Sequence, residues 1–99
     1  MRSIQHPALD DVTLGQFLYA LSDPVRLTVV HQLARAGEAT CSALDCGRPK
    51  SSMSHHFRVL REAGLVRTRT DGPAHMNDLR RTELDARFPG LLDAILAAK

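Results

Sequence analysis

Residues 48–65 read RPKSSMSHHFRVLREAGL, and the pattern of this stretch decides how the chain around it folds. Wound as a helix, it places Met53, Phe57 and Leu60 on one face. Ser51, Ser54, His55, Arg58 and Arg61 fall on the other side, where Glu62 is the nearest acid. Hydroxyls, an imidazole and guanidiniums are the groups that hydrogen-bond phosphates and base edges in a DNA major groove. A helix that is apolar on one face and furnished this way on the other is predicted to pack on a core and present its polar side to DNA.

Working outward from this helix, each flank reads as a known kind of element. Upstream, Leu14, Phe17, Leu18 and Leu21 recur at helical spacing and predict a short first helix from Thr13 to Leu21. Ser22-Asp23-Pro24 combines a capping residue with Pro in the first turn, which starts a second helix, PVRLTVVHQLARA. That helix is expected to bury Val25, Leu27, Val30 and Leu33 or close neighbours, and Gly37 ends it. Thr40 to Leu44 is predicted as a short third helix and Gly47-Arg48-Pro49 as the turn after it. The fourth helix then runs from Lys50 to about Ala63, where Gly64 stops it.

Downstream, Leu65 to Thr70 alternates apolar or neutral residues with Arg67 and Arg69, the period of a strand. Asp71-Gly72-Pro73 is turn chemistry, and Ala74 to Arg80 can return as a second strand with His75 near the tip. A last amphipathic segment carries Leu84, Phe88, Leu91, Leu92, Ile95 and Leu96, and Pro89-Gly90 divides it into an initial turn and a terminal helix. The order helix, helix, short helix, turn, helix, hairpin, helix (α-α-α-α-β-β-α) is a winged helix-turn-helix, mainly α with a β-hairpin wing. Its expected extent is a single domain over residues 1–99, with an ordered core at 12–97 and an extended N-terminal arm at 1–10.

Composition bounds the alternatives. A chain of 99 residues without Trp builds a modest core from aliphatic side chains. Small helical domains of this kind often complete the core by pairing, and a terminal helix apolar over much of its surface invites a second copy. Leu14, Phe17, Leu18, Leu91, Leu92, Ile95 and Leu96 are the expected dimer contacts. The longest apolar run falls well short of the roughly 20 residues that span a bilayer. The first residues, MRSIQHPALDDV, lack the apolar core of a signal peptide, so the chain is expected in the cytoplasm with its thiols reduced.

The net charge of +2 is small, but its distribution is uneven. Arg48, Lys50, Arg58, Arg61, Arg67, Arg69, Arg80 and Arg81 are opposed in their stretch by Glu62, Asp71 and Asp78 alone. Asp10, Asp11 and Asp23 outweigh Arg2 near the N-terminus. A basic middle on a near-neutral chain is the footprint of a phosphate-binding surface. No Gly-rich phosphate loop, nucleophile elbow or His-Glu-x-x-His motif is present, which argues against an enzyme.

Three stretches together carry a family resemblance: LSDPVRLTVVHQL, SSMSHHFRVLREAGLV and the hairpin that follows. From about Leu14 to Ile95 the chain resembles bacterial repressors of the arsenic-repressor (ArsR) family. The resemblance implies a homodimer paired through its first and last helices, bound to a partly palindromic operator on double-stranded DNA. It also implies that the fourth helix enters the major groove, the wing touches flanking backbone, and half-sites lie about one helical turn apart.

Within that frame, Lys50, Ser51 and Ser52 sit in the first turn of the recognition helix, where the helix dipole also favours phosphate. Ser54, His55 and Arg58 are the expected base-edge contacts, with Arg58 able to pair bidentately with guanine. Arg61, Arg67, Arg69 and His75 are assigned to phosphate or the wing, and His56, bordering the apolar face, to the core. A rival from another class is a winged-helix module for docking proteins, which would show exposed apolar anchors between Lys50 and Arg61.

Cofactors are not implied, although a metal ion or an oxidant could act as effector through Cys41 and Cys46. These cysteines lie five residues apart, and the step turns about 140° net on an ideal helix, so their thiols would not share a face. A metal would have to draw on them together with His31, His6 or a second subunit. A buried Cys41 and an incidental Cys46 is the simpler reading.

Overall fold

The computed structural model describes residues 4–45 and 47–98. Its elements are α1 (Leu14–Leu21), α2 (Pro24–Ala36), β1 (Glu38–Thr40), α3 (Lys50–Glu62), β2 (Val66–Asp71), β3 (Ala74–Leu79), α4 (Arg81–Arg87) and α5 (Leu91–Ala97). Single 3-10 turns at Leu9–Asp11 and Ser42–Leu44 precede α1 and follow β1.

Local chemistry explains most helix ends. Thr13 and Gln16 form a capping box at α1: the Gln16 N–H donates to Thr13 Oγ1 at 3.1 Å and the Thr13 N–H to Gln16 Oε1 at 2.8 Å. Asp23 caps α2 by accepting from the Val25 and Arg26 N–H groups at 2.8 and 3.1 Å, and Pro24 follows at the first helical position. Gly64 leaves α3 at a φ of 74°, and a Cβ there would lie 3.0 Å from Leu9 Cδ1 and 3.2 Å from Val12 Cγ2. Glycine is required at that exit by backbone and by space.

The helices and wing expected from the sequence are present, with two changes. Thr40 to Leu44 is not a helix. Glu38–Thr40 is extended and pairs antiparallel with β3, Ala39 opposite Asn77, leaving one 3-10 turn to lead into α3. The sheet therefore has three strands in the order β1-β3-β2. The physical reason is the free inner edge of the hairpin: β3 offers unpaired backbone groups, and a short segment satisfies them better as a strand than as a marginal helix. Asn77 locks the arrangement, fully buried between the strands. Its Oδ1 accepts from Thr68 Oγ1 at 2.7 Å and its Nδ2 donates to the Ala39 carbonyl at 3.3 Å. The second change is at the C-terminus, where the segment before Pro89 forms all of α4 instead of a single turn.

Phe17, Val29, Val30, Leu33, Leu44, Met53, Phe57, Leu60, Leu65, Val66, Leu84 and Leu92 form one buried core. Leu9 and Val12 close it from the N-terminal side, so the core begins ahead of Val12. On α2, Val25 and Leu27 are only partly buried, while Arg26 goes inside at 5% exposure. Among the dimer contacts expected from the sequence, Phe17 and Leu92 are 0% and 1% exposed. They are consumed by the chain's own core, Phe17 stacking on Phe88 at 5.3 Å between ring centres, and have no surface left to offer a partner.

Candidate nucleic-acid interface

The face of α3 that seats the helix is Met53, Phe57 and Leu60, all buried, as the spacing predicts. Lys50, Ser51, Ser52, Ser54, His55 and Arg58 are exposed along the opposite side. No side chain caps α3, whose N-cap is Pro49, so its first-turn N–H groups are aimed outward with Lys50 beside them. Ser54 spends its hydroxyl proton locally, donating to the Lys50 carbonyl at 3.0 Å. As a DNA contact it keeps its lone pairs for accepting. Among the described residues the large exposed hydrophobics are Leu14, Leu18 and Tyr19, all on α1, and none lies on α3. The apolar anchors that a protein-docking helix would need are missing from this face.

His75 lies one pair from the hairpin tip, opposite Thr70, and Gly72 at a φ of 60° starts the two-residue connection. The wing folds back toward the start of α3. Lys50, Ser54 and His75 line one cleft of about 300 Å³ with Cys41, Asp45 and Arg48. Arg58 and Arg61 line a second groove on the other flank of α3, closed by residues 4–7 of the N-terminal arm. That arm is tied down at several points: the Thr68 N–H donates to His6 Nε2 at 3.0 Å, Arg80 to the Pro7 carbonyl at 2.7 Å, and Arg87 to the Leu9 and Val12 carbonyls. Burial pushes the His6 imidazole below its ordinary value, and Arg80, Arg61 and Arg67 push it further in the same direction.

The wing arginines alternate outward as predicted but are not free. Arg69 pairs with Glu38 of β1 at 3.1 Å, reaching across β3, and Arg67 pairs with Glu83 of α4. Arg80, placed by the sequence in the basic stretch, is 6% exposed and also holds Glu83. The hydrogen bond from Arg80, joined by Arg67, keeps the Glu83 carboxyl below the usual carboxylate range. Arg81 pairs with Asp93 of α5. Glu38, Glu83 and Asp93 lie 31, 16 and 12 residues from Arg69, Arg67 and Arg81, beyond any local pattern, whereas the Arg80–Glu83 pair spans three residues of one helix start. The exposed pairs on Arg67 and Arg69 are weak enough for a phosphate to compete. Among the described residues, the cations of the basic middle outside ion pairs are Arg48, Lys50, Arg58 and Arg61, on α3 and the turn before it.

His56 is turned inward as the sequence suggests, its side chain 14% exposed. Its Nδ1 lies 3.2 Å from Arg26 Nη1 and 4.0 Å from Asp23 Oδ1. Burial lowers its pKa, with Asp23 acting in the opposite direction. Cys41 is half-buried, its Sγ accepting from Asn77 Nδ2 at 3.3 Å, whereas Cys46 lies outside the described residues. Among the described residues no three His, Cys, Asp or Glu side chains converge to hold a metal ion.

Comparison with known proteins agrees with this geometry. Residues 21–69 match a helix-turn-helix domain family. Over 89 residues the chain is 36% identical to an uncharacterized HTH-type transcriptional regulator, YceK, of Bacillus subtilis, covering 87% of this chain and 89% of that protein. It is 34% identical to an arsenical resistance operon repressor of Staphylococcus xylosus, covering 73% of this chain and 70% of the repressor. A solved ArsR family transcriptional regulator superposes with a TM-score of 0.69 at 28% identity, over 82% of this chain and 90% of that one. Regulators of this kind are a non-enzymatic class. A winged helix-turn-helix core with a polar outer face on α3, matched in sequence and in structure over most of its length, places this chain in the ArsR family of DNA-binding transcriptional regulators.

Proposed function

We propose that residues 1–99 act as one DNA-binding unit, a dimeric repressor that occupies a partly palindromic operator and blocks promoter DNA. The observation that carries this reading is the exposed face of α3. Lys50, Ser51, Ser52, Ser54, His55 and Arg58 share one side of a helix whose other side is buried, and none of its cations is spent on an ion pair among the described residues. Ser54, His55 and Arg58 read base edges, while Lys50, Ser51 and Ser52 hold phosphate. Arg61 and His75 flank the groove, and Arg67 and Arg69 exchange their pairs with Glu83 and Glu38 for backbone phosphates on binding. Acting on genomic DNA, the protein works in the cytoplasm.

Pairing is supported by the surface of α1 and α5. Leu14 and Leu18 are 48% and 46% exposed, and Leu91, Ile95 and Leu96 are only partly covered by the core. The contact of Phe17 with Phe88 brings α1 beside the turn into α5, so these residues can form one apolar surface for a second copy. Leu14, Leu18, Leu91, Ile95 and Leu96 make the interface, and Phe17 and Leu92 support it from within.

Selection of bound duplexes from a genomic library with the purified protein tests the reading. A recovered motif with two half-sites about one helical turn apart, bound less tightly as salt rises, is the expected result. Salt-insensitive binding, or no enrichment, would favour a protein-docking role instead.

A further inference from the structure

Arg26 is a cation with no solvent to serve it. It is 5% exposed, and every nitrogen of its guanidinium is engaged within the fold. Nε donates to the Ala20 carbonyl at 2.7 Å and Nη2 to the Tyr19 carbonyl at 3.4 Å, two acceptors at the C-terminal end of α1. The Tyr19 ring covers the guanidinium, with its centre 5.3 Å from Cζ. Nη1 faces His56 Nδ1 at 3.2 Å. Helix C-termini favour cations, which accounts for the first two contacts. The third satisfies the remaining buried nitrogen, which an apolar side chain at residue 56 would leave unpaired.

Arginine cannot give up its proton in a protein, so His56 Nδ1 must be the acceptor. The imidazole is then neutral and carries its single proton on Nε2. A protonated His56 would place a second cation 3.2 Å from a buried one. The groups that bear on it come from each neighbouring element: Arg26 and Asp23 of α2, His55 of α3 itself, and Arg48 of the turn before α3. Of these only Asp23 favours the charged ring, from 4.0 Å, and its Oδ1 already caps the Val25 and Arg26 N–H groups. His56 has the proposed base-reading residue His55 as its chain neighbour and lies within one turn of Arg58.

We propose that Arg26 and His56 are positioning residues for the recognition helix: the guanidinium clamps a neutral His56 to the end of α1, and α3 keeps its DNA-reading orientation only while His56 is unprotonated. The proposal rests on the reading of α3 as the recognition helix. It makes sequence-specific binding, over and above charge attraction, a function of pH. It also links the reading face to α1, the helix proposed to meet the second subunit.

The test uses the whole protein, a duplex it selects from a random library, and a random duplex of equal length. The selected-over-random affinity ratio is measured at fixed salt from near pH 8 to near pH 5.5. Wild type should lose severalfold in this ratio across that range, at most about tenfold, because His56 starts below its ordinary 6.5. His56→Asn keeps an acceptor for Arg26 and has no proton to gain, so its ratio should be flat with pH. His55→Asn should weaken the selected duplex more than the random one and keep the slope with pH. Long-range 1H–15N spectra at neutral pH should find His56 protonated on Nε2 alone. These spectra and the His56→Asn profile need no substitution of the buried Arg26. A wild-type slope that survives in His56→Asn, a flat wild-type ratio, or a proton on Nδ1 would overturn the proposal. Wild type that binds neither duplex near pH 8 would overturn the DNA reading, and the clamp's role in it, by a result no variant is needed to see.

Discussion

Arg58 and Arg69 look alike in sequence, and the structure separates them. Arg58 stands on the exposed side of α3 with no acid bound to it among the described residues, whereas Arg69 is held at 3.1 Å by Glu38. Arg58→Ala should cost about 1–3 kcal/mol on the selected duplex and relax the preference at one base position. Equal loss on selected and random duplex would remove Arg58 from the base readers. For the wing the informative change is in the acid. Glu38→Gln should release Arg69 and tighten binding to every sequence by about two- to fivefold, the range of one exposed ion pair. Titration of labelled duplexes at two salt concentrations reads both effects, and unaltered or weakened binding by Glu38→Gln would show that Arg69 never reaches phosphate. The carboxylates that restrain the wing were not legible, since Glu38 and Glu83 lie 31 and 16 residues from their partners. Nothing in a one-dimensional pattern brings them together.

Among the elements, α3 was the most legible and the segment from Glu38 to Leu44 the least. The helix has a strong apolar period and a glycine stop, both local signals. Glu38–Thr40 is a strand only because β3 lies beside it, and a segment this short carries no period of its own. Gly64 sits where local and tertiary demands meet. Gly64→Ala would force a side chain into a left-handed backbone and within 3.0 Å of Leu9 Cδ1. A loss of about 1–3 kcal/mol in urea unfolding is expected, shared between backbone strain and the displaced N-terminal segment. A midpoint that does not move would mean that the arm yields freely and that its docking does not help hold α3 in place.

Across the molecule, two half-buried imidazoles and two carboxylates, one capping a helix and one paired, set the response to acid. His6 and His56 have pKa values depressed below 6.5, chiefly by burial, so near that pH the unfolded chain binds protons that the folded chain refuses. Stability should be full at neutral pH and fall as pH drops through about 6.5 toward the folded values. Asp23, where the N–H bonds of the cap outweigh burial, and Glu83, held by Arg80, are depressed below 3.8 and 4.5 and extend the loss to lower pH. Thermal melts at a series of pH values test this, and a flat profile between neutral pH and about 5 would contradict the neutral state of both rings. Pairing is tested at the same scale: Leu18→Glu sets like charges against each other on a self-facing surface and should give a folded monomer by sedimentation, with operator affinity much reduced. A dimer that survives this change would put the interface elsewhere. The sequence by itself determined the winged helix-turn-helix order, the seated and exposed faces of α3, and the arginine alternation of the wing. These follow from periods of 3.6 and 2 and from caps and turns a few residues long. Only the tertiary structure decided that β1 joins the sheet, that Phe17 and Leu92 serve the core, and that Arg26 lies buried against His56. Each depends on which distant groups share a desolvated space, and burial of a charge or a free strand edge is settled by those partners.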